Sequence, residues 1–403
     1  MTAVQAMLFL LVAPVLIAVL IAILPKNHNA WKSIIFVLGL ALNFAFSLYL
    51  FFTVLHNQET VRYLFPWGGA GLDFAISVDH LSGTLILFAA LFALLIGIYS
   101  VSFSSHRMAN GLYYLCYIFA LVALNGSLMV NNLVLILLFS GMGLIILMGM
   151  LLAENPRESD TALKAMFING IPYFLLMVGL SVTAYEGGSR LINEIARIPL
   201  EGNAIFGFVC FVLGAVGLMG LMPFHSEMKE SVAMMPLPGM VFVSMILYKI
   251  LPVYLLGRAM VSFYEVVPQS GPSQFMVLLG LCSALLGAIF AIGQKDYKRV
   301  LLYLSISQAG LILLAFGTAQ PIGTAAAFAI LCVYLAYMTA LFLGAGALEL
   351  ETGTTEIAAL GGLRHRRPYL TICFFGAALA LAGFPPLNGF FANTLLLEAA
   401  YTA

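Results

Sequence analysis

GLMGLMPFHSEMKE, residues 217–230, begins as an apolar helix and then breaks. Gly220 and Pro223 interrupt it, and polar residues follow. Proline removes a backbone donor and kinks a helix. A second stretch, LAGFPPLNGFFAN at 381–393, repeats the pattern with Gly383, Pro385 and Pro386. Both breaks lie inside long apolar runs. At membrane depth, a broken helix is tolerated only where protein or a water-filled cavity satisfies the freed backbone groups. A matched pair of interrupted spans is the best sequence pointer to an internally repeated transporter and its ion path.

The rest of the chain agrees with a membrane setting. Of 403 residues, 63% are hydrophobic and 8% charged, and mean hydropathy is +1.06. Soluble chains carry roughly a quarter charged residues. Runs of about 20 apolar residues recur, each long enough to cross the bilayer as a helix. Barrel strands would be shorter and would alternate in polarity. The pattern predicts an all-α integral membrane protein of twelve spans: 3–24, 33–55, 82–103, 111–130, 132–152, 164–185, 204–222, 239–259, 274–293, 299–318, 323–347 and 369–401. The seventh and twelfth contain the breaks. That five-span offset places two units in opposite orientations. The expected units are an N-terminal part over 1–110, a first inverted repeat over 111–260 and an incomplete second repeat over 274–403.

The longest polar connections are 56–81, 186–203 and 348–368, and the middle one is expected to hold a short interfacial helix. Basic residues orient the chain. With the N-terminus outside, twelve fall in inward loops and four in outward ones, leaving Lys249 within a span. The first span has no basic flank before it and no small-residue cleavage site after it, and reads as a retained helix. The 17 basic and 17 acidic residues cancel, and no basic patch suggests nucleic acid. Five cysteines lie scattered in apolar spans, read as packed thiols with no metal or cofactor spacing.

Lys249, within VFVSMILYKILPVYLL at 241–256, is the residue that stands out. A lysine at mid-membrane costs about 2.5–3.5 kcal/mol on insertion scales and usually faces a bundle interior or hydrated cavity. Low-dielectric burial disfavours the charged form of an amine, so Lys249 is a candidate proton or ion site. Snorkelling to an interface is strained, because some ten residues separate it from each span end. A structural hydrogen bond or salt bridge is the other reading. His225 after Pro223 suits a proton relay or a cap on freed carbonyls. Glu227, Lys229 and Glu230 read as a solvated or mutually paired loop, and QKDYKR at 294–299 as a positive-inside anchor. Asp79 is expected to cap the third span. Lys164 opens the sixth span, and Glu398 lies in the last helix after the second break. Tyr303, Ser305, Ser307 and Gln308 inside a span would line water or bond neighbouring helices, with packing favoured.

ISVDHLSGTLILF, the PFH break, MILYKILPVYLLGR, KDYKRVLLYLSISQAGLI, ALFLGAGALELETGTTEI and LAGFPPLNGFF stand in an order that resembles one superfamily. It comprises the antiporter-like subunits of respiratory complex I, of multisubunit cation/proton antiporters and of membrane-bound energy-converting hydrogenases such as formate hydrogenlyase. The likeness covers about residues 70–395, with GLMGLMPFH and FPPLNGF closest to the hydrogenase branch. It implies about fourteen helices with two inverted five-helix units, and a place in a redox complex of membrane and redox subunits. Protons or Na+ would move along a hydrated axis, with electron transfer in other subunits. It places Lys249 on the family's eighth-helix lysine, His225 on the first broken-helix histidine and Lys164 on a sixth-helix basic residue. Other family charges fall on uncharged Gly141 and Leu218, near Tyr334 and Met338, and on Asn393. Two helices of the family pattern lie beyond AAYTA, and a partner polypeptide is expected to supply or replace them. A non-pumping scaffold that holds partner subunits is the alternative.

Overall fold

The structure, a computed structural model, describes residues 3–25, 28–57, 60–65, 74–107, 111–154, 159–226 and 235–402. The Glu227–Lys229–Glu230 cluster, Lys26 and Arg157 lie outside the described residues.

Thirteen main helices follow one another: α1 (Ala3–Ile23), α2 (Asn29–Asn57), α3 (His80–Arg107), α4 (Gly111–Met129), α5 (Leu133–Glu154), α6 (Ser159–Glu186) and α7 (Asn203–Leu218). Then come α8 (Leu237–Phe263), α9 (Gly271–Ile292), α10 (Tyr297–Gly317), α11 (Pro321–Thr352), α12 (Pro368–Leu381) and α13 (Asn388–Thr402). Among the described residues, ten are long and apolar enough to cross a membrane. The two shorter apolar ones, α7 and α12, end at the two breaks. The protein is a predominantly helical integral membrane protein, as its long apolar runs imply.

Helix α8 is the axis of the molecule. Its most apolar window is 94% buried, against 33% for α5, α6 and α9, so those helices form the outer wall. Two stretches of α8, Phe242–Leu247 and Ala259–Phe263, widen to π-helix, a distortion that recurs at functional sites. The lysine of α8 follows the first.

Small residues set the closest contacts, because helices in lipid associate by backbone approach and packing. A methyl placed on Gly310 of α10 would come within 2.5 Å of the Ala284 nitrogen of α9, and one on Gly214 of α7 within 2.5 Å of the Leu176 nitrogen of α6.

The connections depart from expectation in two places. The 56–81 connection contains an antiparallel strand pair, β1 (Val61–Phe65) with β2 (Phe74–Val78), in register Val61 with Val78 and Phe65 with Phe74. The 186–203 connection holds no interfacial helix beyond a single 3-10 turn, Ile192–Glu194. Its backbone bonds outward instead: Ile192 N–H donates to Asn131 O at 2.9 Å, and Arg190 O accepts from Leu133 at 3.0 Å. Ile198–Pro199 pairs in parallel with Tyr264–Glu265. Tertiary partners took the groups a helix would have used. The cysteines also split: Cys116 and Cys210 are buried, Cys332 is half-buried, and Cys282 and Cys373 are exposed. A thiol is apolar enough to face lipid, so its position in a span did not settle its burial.

Gly310→Val should lower the thermal midpoint of the detergent-extracted protein, with a loss of about 1–3 kcal/mol from overpacking. Gly170→Ala, where an added methyl meets nothing within 4 Å, should not destabilise it.

Candidate ion-pathway site at the helix breaks

The first break is built from backbone hydrogen bonds. Met219 N–H donates to Ala215 O (2.9 Å), Gly220 N–H to Gly217 O (2.9 Å) and Leu221 N–H to Val216 O (3.1 Å). Gly220 has φ +67°, the left-handed conformation that ends helices and favours glycine. In an unbroken helix the Met219 carbonyl would accept from residue 223. Residue 223 is proline, which has no N–H. Lys249 supplies the donor: its Nζ lies 2.5 Å from Met219 O, and the side chain is fully buried.

The second break repeats this geometry residue for residue. Ala382 donates to Ala378 O (3.0 Å), Gly383 to Ala380 O (3.1 Å) and Phe384 to Leu379 O (3.0 Å). Gly383 has φ +71°, and Pro386 stands where Pro223 stands in the first break. Asn393 closes on it: a methyl on Gly383 would come within 2.8 Å of Asn393 Nδ2. Gln308, Tyr337, Gly389 and Asn393 line a cavity of about 10 Å³ beside this break, near the minimum for one water.

Along the stretch of α8 that carries Lys249, the buried residues are mostly apolar. Tyr117 stacks on Phe242 at 3.7 Å between ring centres. Asn169 Nδ2 donates to Tyr248 Oη at 3.0 Å. A cavity of about 50 Å³ lies between α4, α5, α7 and α8, lined by residues that include Leu124, Ser127, Phe139, Ser140, Leu218 and Tyr248. Both of its serines already donate within their own helices, Ser127 to Ala123 O (2.8 Å) and Ser140 to Leu137 O (3.1 Å). The family-charged position at Gly141 is filled by a neighbour: a methyl there would meet Tyr173 Oη at 2.7 Å, and that hydroxyl donates to Leu137 O at 2.6 Å. Met338 is fully buried, and Tyr334 bonds Ser305 at 2.6 Å. Tyr337 donates to Gln308 at 2.8 Å and Ser307 to Ala284 O at 2.8 Å. The polar run of α10 therefore bonds neighbouring helices, the packing role the sequence favoured.

The remaining sequence candidates are dispersed. His225 is half-buried just past Pro223, its ring stacked on Phe290 of α9 at 6.3 Å. Lys164 on α6 and Glu398 on α13 are exposed. Lys249 is thus the one candidate set inside the helix bundle.

Two ion pairs escape the sequence reading. At one end of α8, Arg258 Nη2 lies 2.6 Å from Asp79 Oδ2, with Arg258 over the Tyr254 ring at 5.0 Å. Near the other end, Lys298 Nζ lies 2.8 Å from Glu349 Oε2. By sequence Arg258 is a loop cation and Lys298 an anchor; helix α8 runs on to Phe263, so Arg258 is inside it. The first of the two acids in ALELETG is a visible signal for Glu349. Asp79 also caps α3 as expected: Ser82 N–H donates to Asp79 Oδ1 at 2.9 Å, and Asp79 N–H donates to Ser82 Oγ at 3.0 Å. Burial pushes the Asp79 carboxyl up, but the Arg258 guanidinium and the Ser82 bonds outweigh it and hold it below its ordinary value.

A proline-broken helix docked on a buried lysine of the central helix, and a second break with the same backbone geometry, match what the resemblance to antiporter-like membrane subunits implies. The chain belongs to the family described as NADH:quinone oxidoreductase/Mrp antiporter, TM, which it matches over residues 127–403. It is 26% identical over 400 residues to a subunit of the Na(+)/H(+) antiporter of Alkalihalophilus pseudofirmus, covering 97% of this chain and 80% of that one. It is 31% identical over 255 residues to NAD(P)H-quinone oxidoreductase subunit 2 of a Synechococcus species, covering 62% of this chain and 48%, about half, of that relative. Its fold matches a chain of the membrane-bound sulfane sulfur reductase, an archaeal respiratory membrane complex, with TM-score 0.88 at 18% identity, over 98% of this chain and 82% of that one.

Asp79→Asn should destabilise the extracted protein by about 1–3 kcal/mol at neutral pH, because it leaves Arg258 buried without its counter-charge. A carboxyl held low in the folded state stabilises fully above its unfolded value of about 3.9. That contribution fades as pH falls through the lower folded value. Thermal unfolding of both proteins across pH should therefore converge only below about pH 4.

Proposed function

We propose that this chain is the ion-conducting membrane subunit of a multisubunit complex, moving protons or Na+ with Lys249 as its proton-handling residue. One observation carries the reading: a fully buried lysine whose amine is bonded to a peptide carbonyl at a helix break. Among the described residues no carboxylate bonds it. The bond to Met219 needs a single N–H, and both ammonium and neutral amine have one. Lys249 can therefore change protonation without uncapping the break. His225 just beyond Pro223 is the next station on this path, with Lys164 and Glu398 as surface stations.

The matched breaks support a reading of two inverted repeats, 111–260 and 274–403, behind an N-terminal unit over 1–110. We place the N-terminus outside a bacterial or archaeal cytoplasmic membrane, on the excess of basic residues in the opposite loops. Redox-driven transport, with electron transfer in partner subunits, is supported by the quinone-oxidoreductase and sulfane-sulfur-reductase likenesses.

A second reading has its own observation. Tyr173 occupies the space beside Gly141, and the cavity at Leu218 is walled mainly by apolar side chains. That arrangement favours a non-pumping scaffold that holds partners.

In membrane vesicles containing the assembled complex, Lys249→Ala should lower coupled ion movement at least tenfold, with subunit composition unchanged. Undiminished coupled transport in an assembled complex sinks the transport reading and leaves the scaffold.

A further inference from the structure

The charged connection between α11 and α12 sits over an apolar groove that the ion path does not use. The groove has a volume of about 520 Å³, within the range of small-molecule sites. It begins beneath the connection at Ile357, Leu360 and Leu363 and runs between α10, α11 and α12 to Leu381 at the second break. From Leu370 to Leu381 the α12 wall rises about 16 Å. Thr371 is one of its few polar lining side chains.

Its mouth is positively charged. Arg364 adjoins Leu363 and Arg366 lies three residues beyond it in the same helical turn; both are exposed, as is Arg299, beside Val300 of the groove wall. Among the described residues, these three side chains make no ion pair or hydrogen bond. Arg367 differs, paired with Glu351 at 3.1 Å. Glu356 is the exposed acid at the same edge, so cations are in excess. The connection is also held in place. Ile357 N–H donates to Lys295 O (3.0 Å), Tyr297 N–H to Thr355 O (3.1 Å), and Thr355 Oγ1 to Asp296 Oδ2 (2.5 Å).

We propose that this groove binds one anionic phospholipid. An acyl chain lies along α12, and the headgroup phosphate rests on Arg364 and Arg366. The two halves of the site match the two halves of that molecule. An apolar channel of this depth takes a hydrocarbon chain, and planar guanidinium groups bind phosphate bidentately. Basic pockets between membrane helices recruit anionic headgroups in this way. The positive rim argues against a zwitterionic lipid and against an uncharged apolar helix as the occupant.

The test uses the complex extracted in mild detergent. Native mass spectrometry would count retained lipids after exchange into phosphatidylglycerol or phosphatidylethanolamine. Wild type should hold one phosphatidylglycerol at least tenfold more tightly than phosphatidylethanolamine. Arg364→Gln with Arg366→Gln should remove that preference, and Ala378→Trp, which fills the groove, should remove both lipids. A photo-crosslinking side chain at Phe375 should capture lipid. Equal retention of the two lipids in wild type, an unchanged preference in the double variant, or capture of a polypeptide in the groove would each overturn the proposal.

Discussion

The carbonyl that Pro223 leaves without a donor is the constraint on which the site depends. In water such a carbonyl would bond solvent; inside a bilayer an unsatisfied backbone group costs several kcal/mol. Lys249 answers it from the central helix. The same contact gives a lysine at the core of an apolar bundle a fixed partner. It also ties α8 to the end of α7, so anything that moves the lysine also exposes the break. A π-widened stretch of α8 just before Lys249 places local distortion beside the contact.

Around that centre, charge is kept to the ends. Asp79 with Arg258, and Glu349 with Lys298, pair near opposite ends of the central helix, while the middle is lined by Leu, Phe and Tyr. Buried ion pairs contribute little net stability but are strongly disruptive when one partner is removed. Their effect here is to fix α3 against α8 and α10 against α11. The second break has the same backbone stop as the first, yet an amide, Asn393, closes on it. The two breaks therefore share a backbone stop and differ in the side chain that closes on it.

The membrane class, the span positions and both breaks were legible from the sequence, as was the Asp79 cap. Hydrophobic length, a missing N–H and a short polar side chain before a helix are local properties. The strand pair β1–β2 escaped because its strands are short and lie within a connection. The 186–203 segment lacks its expected helix because its partners are the α4–α5 turn and the end of α8, remote in the chain. Burial also misled for cysteine: in lipid, an apolar residue in a span gains nothing by turning inward, so Cys282 and Cys373 point out.

The sequence by itself determined that Lys249 lies mid-span and that Pro223 breaks the preceding helix. Only the tertiary structure decided that one serves the other, across 30 residues. It likewise decided that Arg258 reaches Asp79 and that Tyr173 takes the space at Gly141. Hydropathy and proline chemistry belong to single residues and their neighbours. Which donor meets which acceptor depends on how distant helices pack, and in an almost uniformly apolar chain no local pattern encodes that choice.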